Sequence, residues 1–183
     1  MRPVERGEIL DYVTYGERRQ EILEAVLAKK NPRRIHLGDH LTFLFENHDT
    51  VRFQIQEMVR VEQLVKESDI QHEIDTYNEL LGARGELGVT LLIEIDDVAR
   101  RRELLRRWKD LPQHIYVKLE DGEKIYARFD PRQVGEERLS SVQYLKFDTR
   151  GTVPVAVGSD HELVTDEAEL TEEQRAALET DLL

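Results

Sequence analysis

The sequence predicts an α+β fold in a single domain, with a mostly antiparallel sheet built from hairpins and packed against a central, polar-lined helix pair. Two observations carry this prediction: the chain of 183 residues has the length of one domain, and segments of helical period alternate with short apolar runs flanking turn signals. We expect one domain over 1–183, with a soft linker near 130–140 and an acidic C-terminal segment, 159–183.

Four segments have the apolar spacing of helices. They are 17–29, 50–67, 69–81 and 97–109. The helix over 50–67 is apolar on two sides, which is typical of a helix buried on two sides, so we expect its charged groups inside or near the core. The helix over 97–109 is predicted to face inward through Val98 and Trp108. A fifth helix is expected after the capping box formed by Thr171 and Gln174.

Three hairpins and one buried strand complete the predicted fold. The strand is 89–95, and the hairpins are 33–46, 114–129 and 142–157. In the first hairpin, a two-residue turn that begins at Gly38 places Leu37 opposite His40. In the third hairpin, a three-residue loop that ends in glycine places Leu145 opposite Val155.

Composition excludes several classes of protein. The chain contains no cysteine, which rules out a disulfide scaffold, a cysteine-ligated cluster and a cysteine nucleophile. Apolar residues make up 39% and charged residues 35%, which is typical of a globular chain rather than a disordered one. Because no apolar run approaches the roughly 18 residues of a membrane span, and no apolar signal segment is visible near the start, we expect a cytoplasmic protein.

The negative charge is concentrated in one segment. The formal net charge is -12, and residues 159–183 contain nine acidic side chains and one arginine. A protein of this sign repels phosphate backbones, so nucleic acid is not the expected partner. Two basic runs, 29–34 and 100–107, are expected to be solvated or to pair with the acidic segment, with phosphate or RNA binding as the alternative.

The densest polar segment is 52–62, and it predicts a pocket on the central helix. The candidate pocket consists of His40, Glu46, Arg52, Gln54, Gln56, Glu57, Arg60, Glu62, Tyr77 and Asn78. Ions taken out of water need partners, so these charges indicate either a polar network that fixes the helix or a binding site. In the binding-site hypothesis, Arg52 and Arg60 hold an anion or orient the acids. Glu57 and Arg60, three residues apart, can also pair with each other.

Histidines and carboxylates are numerous enough to suggest a metal site. Iron, manganese and zinc all accept histidine and glutamate ligands. No spacing in the chain is diagnostic, since neither His-Glu-x-x-His nor Glu-x-x-His occurs. The predicted ligands are His40, Glu57 and Glu62, because the hairpin that carries His40 leads directly into the central helix.

Several motifs resemble those of one bacterial family. They include Leu37-Gly38-x-His40, Gln54-Ile55-Gln56-Glu57-Met58, Arg60-x-Glu62, Tyr77-Asn78, Val142-Gln143-Tyr144 and Val157-Gly158-x-Asp160-His161. Over nearly the whole chain they are similar to the domain of unknown function 3501. The resemblance implies small cytoplasmic proteins with no assigned activity. It also implies a di-iron or iron–sulfur redox protein as a partner, by association only, because the genes often lie near those for rubrerythrin-like and iron–sulfur proteins.

Three functional hypotheses follow from the sequence. The first is an accessory or binding protein that serves a redox or metal-handling partner through the polar pocket on 50–67. The second is a metal-dependent hydrolase or oxidoreductase that uses the same carboxylates. The third is an interaction module whose acidic segment, 159–183, docks a basic partner.

Overall fold

In a computed structural model that describes residues 1–183, the chain forms five α-helices and two four-stranded antiparallel sheets. The helices are α1 (Tyr12–Lys30), α2 (His48–Val61), α3 (Glu67–Asn78), α4 (Val98–Arg107) and α5 (Glu172–Leu182). The strands are β1 (Arg34–Leu37), β2 (Leu41–Glu46), β3 (Glu86–Ile93), β4 (Ile115–Lys118), β5 (Lys124–Tyr126), β6 (Val142–Asp148), β7 (Ala156–His161) and β8 (Val164–Glu169). The predicted α+β class is therefore confirmed.

The two sheets enclose the larger hydrophobic core. The first sheet has the order β1-β2-β3-β6, and the second has the order β5-β4-β7-β8. The core of 22 buried residues draws on both sheets, with Phe43 and Leu91 from the first and Val117 from the second. Backbone hydrogen bonds of 2.8 and 2.9 Å between Arg128 and Lys146 link the sheets at one edge. Apolar side chains that alternate along each strand thus meet in one shared interior.

A second, smaller core lies among α1, α2, α3 and the N-terminal residues. It contains eight buried residues: Val4, Ile9, Val51, Ile55, Val59, Ile70, Ile74 and Leu81. Two amide side chains fix the N-terminal segment against it. Gln56 exchanges two 2.8 Å hydrogen bonds with the backbone of Leu10, and Asn78 does the same with Val4 at 2.8 and 2.9 Å. The amide staples, Gln56 and Asn78, satisfy backbone groups that no strand or helix pairs.

Helix α5 closes the larger core. Thr171 caps the helix as predicted, with its side chain accepting from Gln174 N. Leu178 and Leu182 lie in the core of 22 residues, and Asp181 accepts hydrogen bonds of 2.7 and 2.9 Å from Arg33. Both charged side chains of this pair are nearly buried, at 8% and 5% exposure. The expected pairing of the first basic run with the acidic segment is confirmed at Arg33.

Two predicted strand pairings are wrong. Leu37 pairs with Leu41 rather than with His40, because the first turn has three residues and begins with Gly38 at φ 57°. This register places apolar residues opposite each other on the buried side. The third hairpin does not form: Leu145 pairs with Val89 of β3 instead of Val155, and β7 lies in the second sheet beside the unpredicted strand β8.

The predicted helix over 50–67 divides into two parts. Helix α2 ends at Val61, and Gln63, at φ 50°, turns the chain before α3 begins at Glu67. Glu62 therefore lies exposed beyond the helix end rather than in the centre of a buried face. Val98 is also 61% exposed, whereas Trp108 is buried as predicted. None of the five helices has both the length and the hydropathy needed to cross a membrane.

Candidate functional site

The ten predicted site residues do not share one pocket, because they lie in separate regions around α2. Glu57 and Arg60 belong to a network between α1 and α2. Gln56 and Asn78 are the amide staples already described. Arg52 lines a cleft beside α1, and Tyr77 lies on α3 with Gln54 beside it. The remaining candidates lie apart from these groups and from one another: His40, Glu46 and Glu62.

Glu57 is the centre of a saturated network that joins α1 to α2. Its Oε1 accepts hydrogen bonds from Tyr15 Oη at 2.6 Å and Arg19 Nε at 2.8 Å. Its Oε2 accepts from Arg19 Nη2 at 3.0 Å and Arg60 Nη2 at 3.2 Å. The four lone-pair positions of a carboxylate are thereby used. The predicted pair of Glu57 and Arg60 is confirmed, whereas Arg19 and Tyr15 are partners that the sequence did not reveal.

We call this network of Tyr15, Arg19, Glu57 and Arg60 the clamp, because its electrostatics indicate a structural role. The Arg19 guanidinium, with the Tyr15 and Arg60 donors, lowers the pKa of Glu57 to about 2 although partial burial opposes the shift. Burial, together with the hydrogen bond to Glu57, raises the pKa of the Tyr15 hydroxyl. Because Glu57 stays ionised and fully engaged, it has no lone pair free for a ligand.

The predicted metal ligands are not brought together. His40 lies at the turn between β1 and β2, with Nδ1 3.3 Å from the Glu94 carbonyl oxygen and its ring 6.0 Å from that of Trp108. Glu57 is held in the clamp, and Glu62 is exposed past the end of α2. No group of three or more histidine or acidic side chains is arranged to hold a metal ion. The structure therefore separates the three predicted ligands His40, Glu57 and Glu62.

Glu46 has a structural position in the first sheet. Its carboxylate accepts a 2.5 Å hydrogen bond from Thr50 at the start of α2 and a 2.7 Å hydrogen bond from Thr90 of β3. Glu46 therefore fixes the first turn of α2 against the sheet, and its oxygens do not face a cavity with the other candidates.

A cleft of about 340 Å³ opens between α1, α2 and the N-terminal segment. Its volume falls in the range of small-molecule sites, roughly 300–1,000 Å³. The apolar part of its lining is formed by Leu10, Ile22, Ala25, Val26 and Phe53. Most of the lining residues belong to the packed helices α1 and α2. The amide staple Gln56 fixes Leu10 of the N-terminal segment at one side of the cleft.

Two of the three acidic residues of the α1–α2 cleft, Glu8 and Asp49, have close partners, whereas the third, Glu21, has only Arg18, 3.9 Å away. Lys29 pairs with Asp49, and Arg2 and His48 both contact Glu8. Arg2, the main cause, lowers the pKa of Glu8 to about 2.

Arg18 and Arg52 remain without strong partners. Their closest carboxylates, Glu21 and Asp49, are each 3.9 Å away, and neither guanidinium donates a hydrogen bond within the chain. Both side chains are about half exposed, at 54% and 44%. Two guanidinium groups, on opposite helices, thus keep their donors free beside an apolar cleft.

A second cavity, of about 640 Å³, lies between α3, β6 and residues 128–133. Three aromatic rings line it: Tyr77, Phe129 and Tyr144. Burial raises the pKa of Tyr77, and a hydrogen bond with Gln54 opposes that shift. Of the candidates, Tyr77 therefore lines this α3–β6 cavity, and Gln54 lies beside Tyr77.

The sequence did not reveal a polar cluster on the second sheet. His114 contacts Asp160 at 3.0 Å and Asp110 at 3.5 Å, and Asp110 also contacts the buried His161 at 3.0 Å. Tyr126 donates to Asp160 at 2.5 Å and is the main cause of its lowered pKa. The motif Asp160-His161 was visible, but its partners lie 34–51 residues away in the chain.

Comparison with known proteins identifies relatives but no activity. The family model described as "Protein of unknown function (DUF3501)" matches residues 3–182. A crystal structure of a protein of unknown function from Burkholderia pseudomallei is similar, with 28% identity, a TM-score of 0.90 and 100% of each chain covered. No curated protein matches the sequence significantly.

Proposed function

Since the chain belongs to the DUF3501 family of proteins of unknown function, we propose its role from its own geometry: it is a binding protein that holds a small amphipathic anion in the α1–α2 cleft. The carrying observation is the pair of arginines, Arg18 and Arg52, that have no strong partner in the chain and line a cleft with five apolar side chains. This proposal keeps the sequence-based idea that Arg52 holds an anion and moves the site away from Glu57.

The chemistry of the cleft favours an anion with an apolar body. A guanidinium group presents a planar set of donors that matches carboxylate and phosphate oxygens, and it loses less on desolvation than an ammonium group. The apolar lining, with Phe53 and Ile22, would bury the remainder of the ligand. A binding role is favoured over catalysis because two of the three carboxylates at the cleft are already engaged, Asp49 by Lys29 and Glu8 by Arg2. The third, Glu21, is exposed and lies 3.9 Å from Arg18.

The proposal is tested with 8-anilinonaphthalene-1-sulfonate, an amphipathic anion, and with the uncharged dye N-phenyl-1-naphthylamine. We expect saturable binding of the anion, with fluorescence enhancement at micromolar concentrations. The variant Arg18→Gln/Arg52→Gln should weaken binding of the anion at least tenfold, because both guanidinium donors are lost, and should leave the uncharged dye unaffected.

The matched control is Arg34→Gln/Arg84→Gln, which removes two exposed arginines outside the cleft and changes the net charge equally. Equal loss of anion binding in both variants would show a general effect of charge and would refute the cleft. Anion binding that is unchanged in Arg18→Gln/Arg52→Gln would refute it as well.

The partner implied by the resemblance stays a prediction. In this proposal, a di-iron or iron–sulfur redox protein would receive or supply the bound anion, and the protein would act in the cytoplasm as an accessory. Affinity purification from a native host, compared between the wild-type protein and Arg18→Gln/Arg52→Gln, tests whether partner capture depends on the cleft.

A further inference from the structure

We infer that the α3–β6 cavity is a second binding site, independent of the α1–α2 cleft, and that it takes a small organic cation, an amine or quaternary ammonium on a flat or apolar body. The cavity has a volume of about 640 Å³, which exceeds that of the α1–α2 cleft, at about 340 Å³. Its walls differ from those of the cleft in being aromatic.

The aromatic walls are held in place by the surrounding chain. Gln133 accepts a 2.7 Å hydrogen bond from Tyr144 N and donates a 3.1 Å hydrogen bond to Tyr144 O, which fixes β6 to residues 131–133. Phe129 packs against the larger core. Tyr77 is half-buried on the last turn of α3. Three aromatic side chains with different supports thus line one cavity.

Two of the five charged side chains that line the α3–β6 cavity are neutralised by an oppositely charged partner within the chain. Arg128 pairs with the buried carboxylate of Glu86, and Asp130 pairs with Arg132. The Lys146 ammonium donates a 3.0 Å hydrogen bond to the Leu81 carbonyl oxygen. Arg128 and Asp130 are therefore not the main determinants of which ligand charge the cavity attracts.

Two carboxylates remain without a counter-ion. Glu73 and Glu79, at the last turns of α3 and just beyond it, line the cavity, and neither has a cationic nitrogen within 4.0 Å. Lys146 is the one cation there without a carboxylate partner, so the unpaired groups leave a net negative charge. The net charge of the whole chain, -12, adds to this attraction for cations.

Aromatic faces and carboxylates together select an organic cation. A cation near an aromatic face is attracted by the ring quadrupole, and recognition of quaternary ammonium groups by aromatic side chains follows this principle. An inorganic cation would use only the carboxylates, whereas a molecule with an apolar body also gains from contact with Phe129 and Tyr144. An anion would be repelled by Glu73 and Glu79, with Lys146 as the one cation without a carboxylate partner to offset them.

The test uses thioflavin T, a flat aromatic cation whose fluorescence rises when its rotation is restricted. We expect saturable binding at micromolar concentrations. The variant Glu73→Gln/Glu79→Gln should weaken binding at least fivefold, and Tyr144→Ser, at an exposed ring, should also weaken it. The matched control, Glu172→Gln/Glu173→Gln, removes two exposed carboxylates on α5 and should bind as the wild-type protein does.

The outcomes separate this site from the α1–α2 cleft. Arg18→Gln/Arg52→Gln should leave thioflavin T binding unchanged, so a failed anion experiment does not decide this one. Equal weakening in both glutamate variants would overturn the inference, because the effect would then reflect net charge alone. Displacement of thioflavin T by 8-anilinonaphthalene-1-sulfonate, abolished in Arg18→Gln/Arg52→Gln, would place the dye in the cleft and would also overturn it.

Discussion

Two regions of the interface between α1 and α2 treat charge in opposite ways. In one region, Glu57 accepts four hydrogen bonds from Tyr15, Arg19 and Arg60. In the other region, Arg52 has only Asp49, 3.9 Å away, and lines a cleft. Both residues lie on α2, and the sequence pattern predicts both in the same candidate binding pocket. The difference indicates that charges saturated within the chain maintain the fold, whereas unsatisfied charges beside a cavity are available to a ligand.

The strongest test of this distinction concerns the pair of Arg33 and Asp181, because both charged side chains are nearly buried and bind each other through two hydrogen bonds. We expect Asp181→Ala to lower the free energy of unfolding by about 3–5 kcal/mol, because the Arg33 guanidinium loses its buried counter-ion. Urea denaturation measures the change. Glu179→Ala, at an exposed position of α5, is the control and should change stability by less than about 0.5 kcal/mol. A small effect of Asp181→Ala would show that saturation does not identify structural charges.

The clamp itself is tested by Glu57→Gln. We expect a loss of about 2–3 kcal/mol, because charge-assisted hydrogen bonds from two arginines are weakened together. Binding of 8-anilinonaphthalene-1-sulfonate to the α1–α2 cleft should be unaffected in the folded variant. Loss of that binding with unchanged stability would reverse the assignment of a structural role to Glu57 and a binding role to the cleft.

The clamp also predicts a dependence on pH. Glu57 has a pKa of about 2 in the folded chain, lowered from 4.5 chiefly by Arg19. The unfolded chain therefore binds more protons in this range, and the contribution of Glu57 is complete above pH 4.5 and is lost as the pH falls towards 2. The difference in unfolding free energy between wild-type protein and Glu57→Gln should shrink over this window. A difference that stays constant down to pH 2 would contradict the assigned pKa.

Removal of an amide staple should lower the free energy of unfolding by an intermediate amount. Gln56→Ala leaves the backbone N–H and carbonyl of Leu10 without their partner, and we expect a loss of about 1–2 kcal/mol. Amide hydrogen exchange in residues 1–11 should accelerate, since the segment is no longer fixed to α2. Gln71→Ala, at an exposed position of α3, is the control. Unchanged exchange would show that the smaller core alone holds the segment.

The smallest effect on stability is expected at the cleft. Arg18→Gln/Arg52→Gln should change the free energy of unfolding by less than about 0.5 kcal/mol, because neither guanidinium donates a hydrogen bond within the chain. The same variant should show the largest loss of anion binding. A substantial destabilisation would mean that these arginines are structural, and the contrast with Glu57 would disappear.

Local sequence patterns predicted where helices and strands lie better than they predicted which strands pair with each other. Helical periods and the capping box at Thr171 located the helices, although α2 ends at Val61 and a turn at Gln63 separates it from α3. The loop near Gly151 has the form of a hairpin turn, yet β6 pairs with β3. An alternating strand can pair with any strand of matching pattern, so the choice between local and distant pairing is made by the shared core.

The candidate site was predictable only in part for a similar reason. The pair of Glu57 and Arg60 lies within one helical turn and was expected. Arg19 joins Glu57 across 38 residues of chain, and Arg18 and Arg52 line one cleft only because α1 packs against α2. Spacing along the sequence identifies which groups can meet within an element. Which groups lie across a cleft depends on packing between elements.

The pairing of Arg33 with α5 has a consequence for synthesis. Asp181 follows Arg33 by 148 residues. At the roughly 5–20 residues per second of translation, that interval is about 7–30 s. During this time the core positions filled by Leu178 and Leu182 stay uncovered. The nascent chain thus exposes apolar surface until α5 leaves the ribosome, and docking of α5 is the step that ends its exposure to aggregation.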